Sequence, residues 1–279
     1  MSGSAVRRQL NDGRWHFQHG PIDLVIACEG GGAACETALA QAWAQFQCVL
    51  ADLSPQLPAL RSPVVGPFPV DGRIATAMVD ACRPFGEQLG FFITPMAAVA
   101  GSVADEIADC FRGPDVERAY VNNGGDIALC LAPGRHYDVG VVTNLAWPQI
   151  DGRFRIEATS PVRGIATSGW RGRSFSLGIA DSVTVLARTA AAADAAATMI
   201  ANQVDVDSPA VRRRPACLLK DDTDLGDRLV TVAVGPLSAT EIQDALDSGS
   251  AFAEVLRGQG LIEAAALVLG TQACVVRNR

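Results

Sequence analysis

The sequence contains little of several residue types on which common enzyme chemistries depend. Its 279 residues include three histidines, a single lysine (Lys220) and only 6% aromatic residues. Zinc sites rely on histidine and cysteine at fixed spacings, and Schiff-base enzymes rely on a desolvated lysine amine. Lys220 instead precedes the acidic segment 221–227. Neither chemistry is therefore favoured.

Paired cysteine motifs and long apolar runs are also missing. The eight cysteines form no C-x-x-C pair, a pattern typical of free thiols in a reducing compartment. No run reaches the roughly 18 apolar residues that predict a membrane span. The N-terminal residues lack the apolar segment of a signal peptide. We therefore expect a cytoplasmic protein with no membrane partner.

The sequence carries no excess of positive charge. Its net charge is −7, whereas binding to nucleic acid requires a basic face that neutralises phosphates. We therefore expect no nucleic-acid partner. The basic cluster Arg212–Arg214 stands between Pro209 and Pro215, and these prolines predict a solvated loop there.

Helix and strand patterns are mixed along the chain without a regular strand–helix repeat. Helices are predicted at 33–53, 73–85, 95–111, 190–201 and 239–257. Apolar runs and alternation predict strands at 14–18, 23–27, 118–121, 127–132, 137–142, 154–158, 164–167, 174–177, 182–187, 229–234, 262–269 and 273–276. This mixture predicts an α+β fold with largely antiparallel sheets and packed helices. We expect a single domain over residues 1–279. An alternative is that this domain consists of two intertwined lobes.

The alanine-rich helix carries a candidate metal site. Asp194 and Thr198 are four residues apart, so their side chains share one helix face. Few other polar groups stand on this surface. A carboxylate and a hydroxyl are hard oxygen ligands, which suit Mg²⁺ or Ca²⁺ better than a softer metal.

A double-glycine segment forms a second candidate. Asn122, Gly124, Gly125 and Asp126 stand where one predicted strand ends and the next begins. Adjacent glycines permit positive φ and let a ligand reach bare backbone, while the asparagine and aspartate supply donors and acceptors. The same residues are equally typical of a tight hairpin turn, so both interpretations stay open.

The third candidate is the segment 164–173, where an apolar run ends in hydroxyls, glycine, Trp170 and arginines. Hydroxyls, backbone amides and guanidinium groups can hold a phosphate or carboxylate, and tryptophan can stack on a planar ring. A glycine-rich hairpin with a solvated basic tip is the alternative. The candidate ligand-binding residues here are Thr167, Ser168, Gly169 and Arg171.

These segments together resemble the ApbE family, the FAD:protein FMN transferases. The series NNGGD, ATSG followed by an aromatic residue, VTVLA and A-D-x-x-x-T is similar to that family's motif series, and the whole chain resembles a divergent ApbE-like family. The resemblance implies a T-fold-like α+β architecture and FAD or FMN as ligand. It also implies Mg²⁺ held by Asp194, Thr198 and a backbone carbonyl at Ala98.

The span between Trp170 and Val183 departs from the ApbE pattern. The family's H-x-x-DP-x-TG loop belongs here, but this chain has neither histidine nor proline in the span. Asp181 is the residue that partly matches the loop, and it is the candidate catalytic base. A turn-forming role at the mouth of the next strand is the alternative.

Three functional hypotheses remain. The chain binds a flavin or nucleotide-type ligand with Mg²⁺ as a transferase or hydrolase, with Arg171 or Arg173 offsetting phosphate charge. Alternatively, it is a hydrolase or isomerase acting on a small anionic ring compound, or a flavin-binding accessory protein without catalysis. All three predict a small-molecule ligand, and a homo-oligomer remains open.

Overall fold

A nine-stranded antiparallel sheet dominates the structure. The computed structural model describes residues 4–141 and 152–277. The strands of these ranges are β1 (Val6–Gln9), β2 (Trp15–His19), β3 (Ile22–Gly30), β4 (Val116–Asn123), β5 (Asp126–Leu131), β6 (His136–Val141), β7 (Gly152–Glu157), β8 (Gly164–Ser168), β9 (Ser182–Ala187), β10 (Val211–Pro215), β11 (Leu229–Val234), β12 (Ala264–Leu269) and β13 (Gln272–Arg277).

The order across the large sheet is β1-β2-β3-β4-β5-β8-β9-β12-β13. Each neighbouring pair is antiparallel, and two further antiparallel ribbons are formed by β6 with β7 and by β10 with β11. The predicted α+β class with largely antiparallel sheets is therefore confirmed.

The described residues form six α-helices, four of which pack on the large sheet in chain order. They are α1 (Gly32–Leu53), α2 (Leu57–Leu60), α3 (Arg73–Arg83), α4 (Val99–Ala108), α5 (Ala190–Gln203) and α6 (Ala239–Gly258). Helix α1 packs on β2 and β3, α4 on β4 and β5, α5 on β8 and β9, and α6 on β12 and β13. Among the described residues, no helix is both long enough and apolar enough to cross a bilayer.

Strand β5 shows how the sheet divides its two faces. Ala128 and Cys130 belong to the core beneath α1 and α4, whereas Leu129 packs with Ile156 and Ile165 in a smaller cluster beneath the β6–β7 ribbon. Alternate side chains of a strand point to opposite faces. The odd and even residues of β5 therefore serve two separate cores.

The large sheet has its fewest paired residues in the middle, at the join between β5 and β8. Strands β5 and β8 share only two register pairs, Ile127 with Ile165 and Ala128 with Gly164, whereas β3 and β4 share seven. A Cβ atom on Gly164 would lie 2.0 Å from the carbonyl oxygen of Thr189. Glycine thus lets the start of α5 rest directly on this join.

Several predicted elements are wrong. Residues 174–177 form an irregular segment rather than a strand. Arg212–Arg214 belong to β10 rather than to a solvated loop, because pairing with β11 and a hydrogen bond from Arg213 to Asp205 place them in a ribbon. Strand β1 has exposed, arginine-rich residues and was not predicted. In the predicted strand 137–142, residue 142 lies outside the described residues.

Candidate functional site

The start of α5 is fixed by three independent contacts. The side chain of Thr189 accepts a hydrogen bond from an amide of the first turn, as an N-cap does. The carboxylate of Asp105 accepts hydrogen bonds from the amides of Ala190 (3.0 Å) and Ala191 (2.9 Å). Gly101 lets α4 approach closely, since a Cβ there would lie 2.3 Å from the Ala190 carbonyl oxygen. Helix α5 is therefore held in a defined position against α4.

A cavity of about 270 Å³ opens beside these two helices. It is lined by residues of the segment 96–100, by Asp126 at the start of β5, by the segment 173–175 and by the loop 220–225. Asp194, Thr198 and Arg61 complete the lining. The fold thus brings the predicted metal pair and the last residue of the double-glycine segment into one cavity.

Two of the carboxyl groups that line the cavity, which we call the acid pair Asp126–Asp194, influence each other. Burial, and then the negative charge of Asp126, raise the pKa of Asp194 well above its usual value, although the Gly101 amide donates to Asp194 Oδ2 at 3.0 Å. Burial raises the pKa of Asp126 to about 7, against the opposing effects of the Thr167 amide and the Arg173 guanidinium. Two such acids in a desolvated site are stabilised by a bound proton or a bound cation.

Thr198 presents its hydroxyl without a partner. A threonine inside a helix commonly donates to the carbonyl four residues earlier, but within the described ranges the Thr198 hydroxyl makes no hydrogen bond. Together with the acid pair it gives three hard oxygen donors, which fit Mg²⁺. The described residues include no group of three or more histidine, cysteine or acidic side chains arranged for a metal. A cation here would also need backbone, water or ligand oxygens.

Ala98 stays a prediction as a carbonyl ligand. The residue is buried at the point where α4 begins. Its neighbours Ala97 and Val99 line the cavity, whereas Ala98 itself does not.

The double-glycine segment is a hairpin turn that also borders the site. Gly124 and Gly125 have φ values of +67° and +116°, respectively. Asn122 Oδ1 accepts a hydrogen bond from the Gly125 amide at 2.9 Å. Asn122 is therefore engaged within the turn, and Asp126 is the member of this segment that lines the cavity.

The segment around Thr167 and Ser168 does not line the cavity, and it is occupied by internal contacts. The hydroxyl of Thr167 lies 2.9 Å from that of Thr184. A Cβ on Gly169 would lie 2.3 Å from the Asp181 carbonyl oxygen. This glycine therefore permits close packing of two backbone segments. The ligand-binding roles of Thr167, Ser168 and Gly169 stay predictions.

Asp181 and Arg171 form a structural cluster outside the cavity. Arg171 Nε donates to Asp181 Oδ1 at 2.9 Å, and the Arg171 guanidinium lies 4.4 Å from the centre of the Trp170 ring. Asp181 Oδ2 accepts a hydrogen bond from the Gly270 amide at 2.8 Å. Both carboxylate oxygens therefore hold neighbouring segments together, and the catalytic role of Asp181 and the ligand role of Arg171 stay predictions.

The loop 220–225 lines part of the cavity, and the sequence alone did not place it there. Asp222 pairs with Arg61 at 2.9 Å and with Lys220 at 3.5 Å. Asp224 accepts a hydrogen bond from the Thr94 hydroxyl. These contacts join segments far apart in the chain, and the acidic composition of 221–227 was the available signal.

Comparison with known proteins places the chain in a family. A family model described as AbpE bacteria matches residues 7–275. The chain belongs to this family. A UPF0280 protein of Methanopyrus kandleri is 38% identical over 149 residues, covering 53% of this chain and 56% of that protein. A UPF0280 protein of Methanothrix thermoacetophila is 37% identical over 123 residues, covering 42% and 49%, respectively. The chain thus spans about half the length of these curated relatives.

Solved structures of ApbE proteins share the fold of this AbpE bacteria family member. The flavin transferase ApbE from Vibrio cholerae superposes with a TM-score of 0.52 at 13% identity, covering 99% of this chain and 97% of that one. The ApbE protein from Thermotoga maritima gives a TM-score of 0.52 at 12% identity, covering 99% and 97%, respectively. At these identities the likeness shows the fold, and the predicted ApbE-like family and architecture are confirmed.

Proposed function

We propose that this protein binds a flavin nucleotide, FAD or FMN, together with Mg²⁺ in the cavity between α4 and α5. The proposed reaction is cleavage at the phosphate groups of that ligand, by transfer to an acceptor or to water. The observation that carries the proposal is the shared cavity of Asp126, Asp194 and Thr198. The fold shared with flavin transferases supports the ligand class.

The donor set gives each residue a role in this proposal. Asp194, Asp126 and Thr198 would hold the cation, with the Ala98 carbonyl as a further oxygen donor. Bound Mg²⁺ would polarise a phosphorus–oxygen bond of the ligand. The acid pair would be ionised by this binding, since a divalent charge offsets the repulsion between the two carboxylates.

The size of the cavity limits which part of the ligand it encloses. Typical small-molecule pockets measure about 300–1,000 Å³, and this one is about 270 Å³. The volume suits the phosphate end of a nucleotide with its cation. The flavin ring would then extend towards the cavity opening.

The proposal is tested by titrating FAD and following flavin fluorescence, with MgCl₂ or with EDTA. We expect binding that depends on MgCl₂ and that weakens at least about tenfold in Asp194→Asn, because removing one charge from a cation site costs about 1.5–3 kcal/mol. Asp244→Asn, an exposed aspartate on α6, is the matched control and should bind as the wild type does.

Chromatography of the same mixtures decides between catalysis and binding alone. Release of AMP from FAD supports cleavage, and Asp181→Asn then shows whether Asp181 acts as the base. Binding without AMP release supports the flavin-binding accessory protein. Equal FAD affinity with MgCl₂ and with EDTA, or an unaltered affinity in a folded Asp194→Asn variant, refutes the cation site.

A further inference from the structure

The cavity rim carries three basic side chains, of which two are already paired with a carboxylate. Arg61 and Lys220 both pair with Asp222, at 2.9 Å and 3.5 Å. One carboxylate shared by two cations offsets part of their combined charge. An anion that contacts Arg61 or Lys220 would therefore compete with an existing ion pair.

Arg173 differs from both. Within the described ranges it makes no ion pair and no hydrogen bond. The positive charge of Arg173 acts on Asp126. It lowers the pKa of that carboxyl group, whereas burial raises it. Once a divalent cation neutralises the acid pair, the positive charge of Arg173 is no longer offset by Asp126.

The position of the Arg173 guanidinium depends on the double-glycine turn. A Cβ atom on Gly124 would lie 2.8 Å from Arg173 Nη2 and 3.4 Å from Cζ. The guanidinium thus lies close against the bare backbone of Gly124 at the rim. This close contact orients the donor fork, and an oriented fork can bind two phosphate oxygens at once.

Arg171, two residues earlier, provides an internal comparison. Its Nε donates to Asp181 at 2.9 Å and its guanidinium stacks on Trp170. It does not line the cavity. The two arginines share a segment and an exposed position, but only Arg173 is available to a ligand in the cavity.

We propose that Arg173, seated on Gly124, is the residue that selects phosphate-bearing ligands over uncharged ones. This inference rests on the proposed function, because it assumes an anionic ligand bound with a cation in the same cavity. Arg173 would contact phosphate oxygens while the acid pair and Thr198 hold the cation. The ligand class is therefore a phosphomonoester or a diphosphate rather than a neutral ring compound.

The test compares Arg173→Gln, Arg173→Lys and the control Arg8→Gln, which changes an exposed arginine of β1. Three probes are titrated in MgCl₂: FAD and riboflavin by fluorescence, and inorganic pyrophosphate by calorimetry. We expect Arg173→Gln to weaken FAD and pyrophosphate binding about tenfold to a hundredfold, as loss of charged hydrogen bonds does. Riboflavin binding should not change, Arg173→Lys should recover part of the loss, and Arg8→Gln should match the wild type.

The outcomes separate this inference from the proposed function. Wild-type-like binding of FAD and pyrophosphate by Arg173→Gln overturns the role of Arg173 alone, as does an equal loss for FAD and riboflavin. If the wild type binds pyrophosphate but neither flavin, the flavin proposal fails while Arg173 is still tested by pyrophosphate. If the wild type binds none of the three probes, both proposals are overturned.

Discussion

Replacing Thr198 by valine probes the cavity while leaving helix α5 intact. The Thr198 hydroxyl makes no hydrogen bond within the described ranges, valine has nearly the same shape, and the two residues have similar helix propensities. No protein contact is therefore lost. We expect the free energy of unfolding to change by less than about 0.5 kcal/mol.

Thr189→Val is the matched control on the same helix. The Thr189 side chain caps α5 by accepting a hydrogen bond from the Ala192 amide at 3.1 Å. Removing an N-cap oxygen costs about 1 kcal/mol, within a range of about 0.5–2. For a protein of this size that loss lowers Tm by about 2–4 °C. Ligand binding should be unaffected, because Thr189 does not line the cavity.

FAD binding should show the opposite pattern to stability in these two variants. In Thr198→Val one oxygen donor of the proposed cation site is gone, so FAD affinity in MgCl₂ should fall about tenfold. Urea denaturation and FAD titration of both variants provide the comparison. The reasoning is refuted if Thr198→Val is as destabilised as Thr189→Val, or if its FAD affinity equals that of the wild type.

Three further predictions concern the surroundings of the cavity. Burial raises the pKa of Asp105 from its usual value of 3.8 to about 6. The ionised carboxylate therefore costs stability above about pH 6, and this cost fades as the pH falls towards 4. Relative to Asp105→Asn, the wild type should gain up to about 1.4 kcal/mol per pH unit on acidification from pH 6 to 5 in urea titrations; a constant difference between the two proteins would contradict this. Gly101→Ala should lower the free energy of unfolding by about 1–3 kcal/mol, because the added Cβ clashes with the Ala190 carbonyl. Gly113→Ala, with open space around it, should leave the stability unchanged. Equal denaturation midpoints for the two variants would refute the close contact at Gly101. Lys220 is the sole lysine, so cleavage by a lysine-specific protease reports on the loop that lines the cavity. FAD with MgCl₂ at about ten times Kd should slow this cleavage about tenfold. An unchanged cleavage rate would show that the ligand does not protect the loop.

Local patterns in the sequence predicted most of the individual elements. The alanine-rich helix, predicted at 190–201, forms at Ala190–Gln203, because alanine propensity and tertiary packing favour the same structure. The failures share a cause. Strand β10 is rich in arginine, and its pairing with β11 comes from contacts that local composition does not encode.

The candidate site was predictable only in part, for a similar reason. Asp194, Thr198 and Asp126 stood in recognisable motifs, and they line one cavity. Arg61 and Lys220 reach the same cavity from segments with no motif of their own, joined through Asp222. Such convergence depends on long-range strand order, which a sequence pattern does not contain.

The narrow join between β5 and β8 would give the proposed ligand a mechanical role. Asp126 belongs to the N-terminal half of the large sheet, whereas Asp194 and Thr198 follow β9 in the other half. A cation bound by all three residues would link the two halves of the sheet across β5 and β8, where only two residue pairs are in register. Ligand binding would then add to the contacts between α4 and α5 that already connect the two halves, and proteolysis of the protein would slow as the ligand concentration rises.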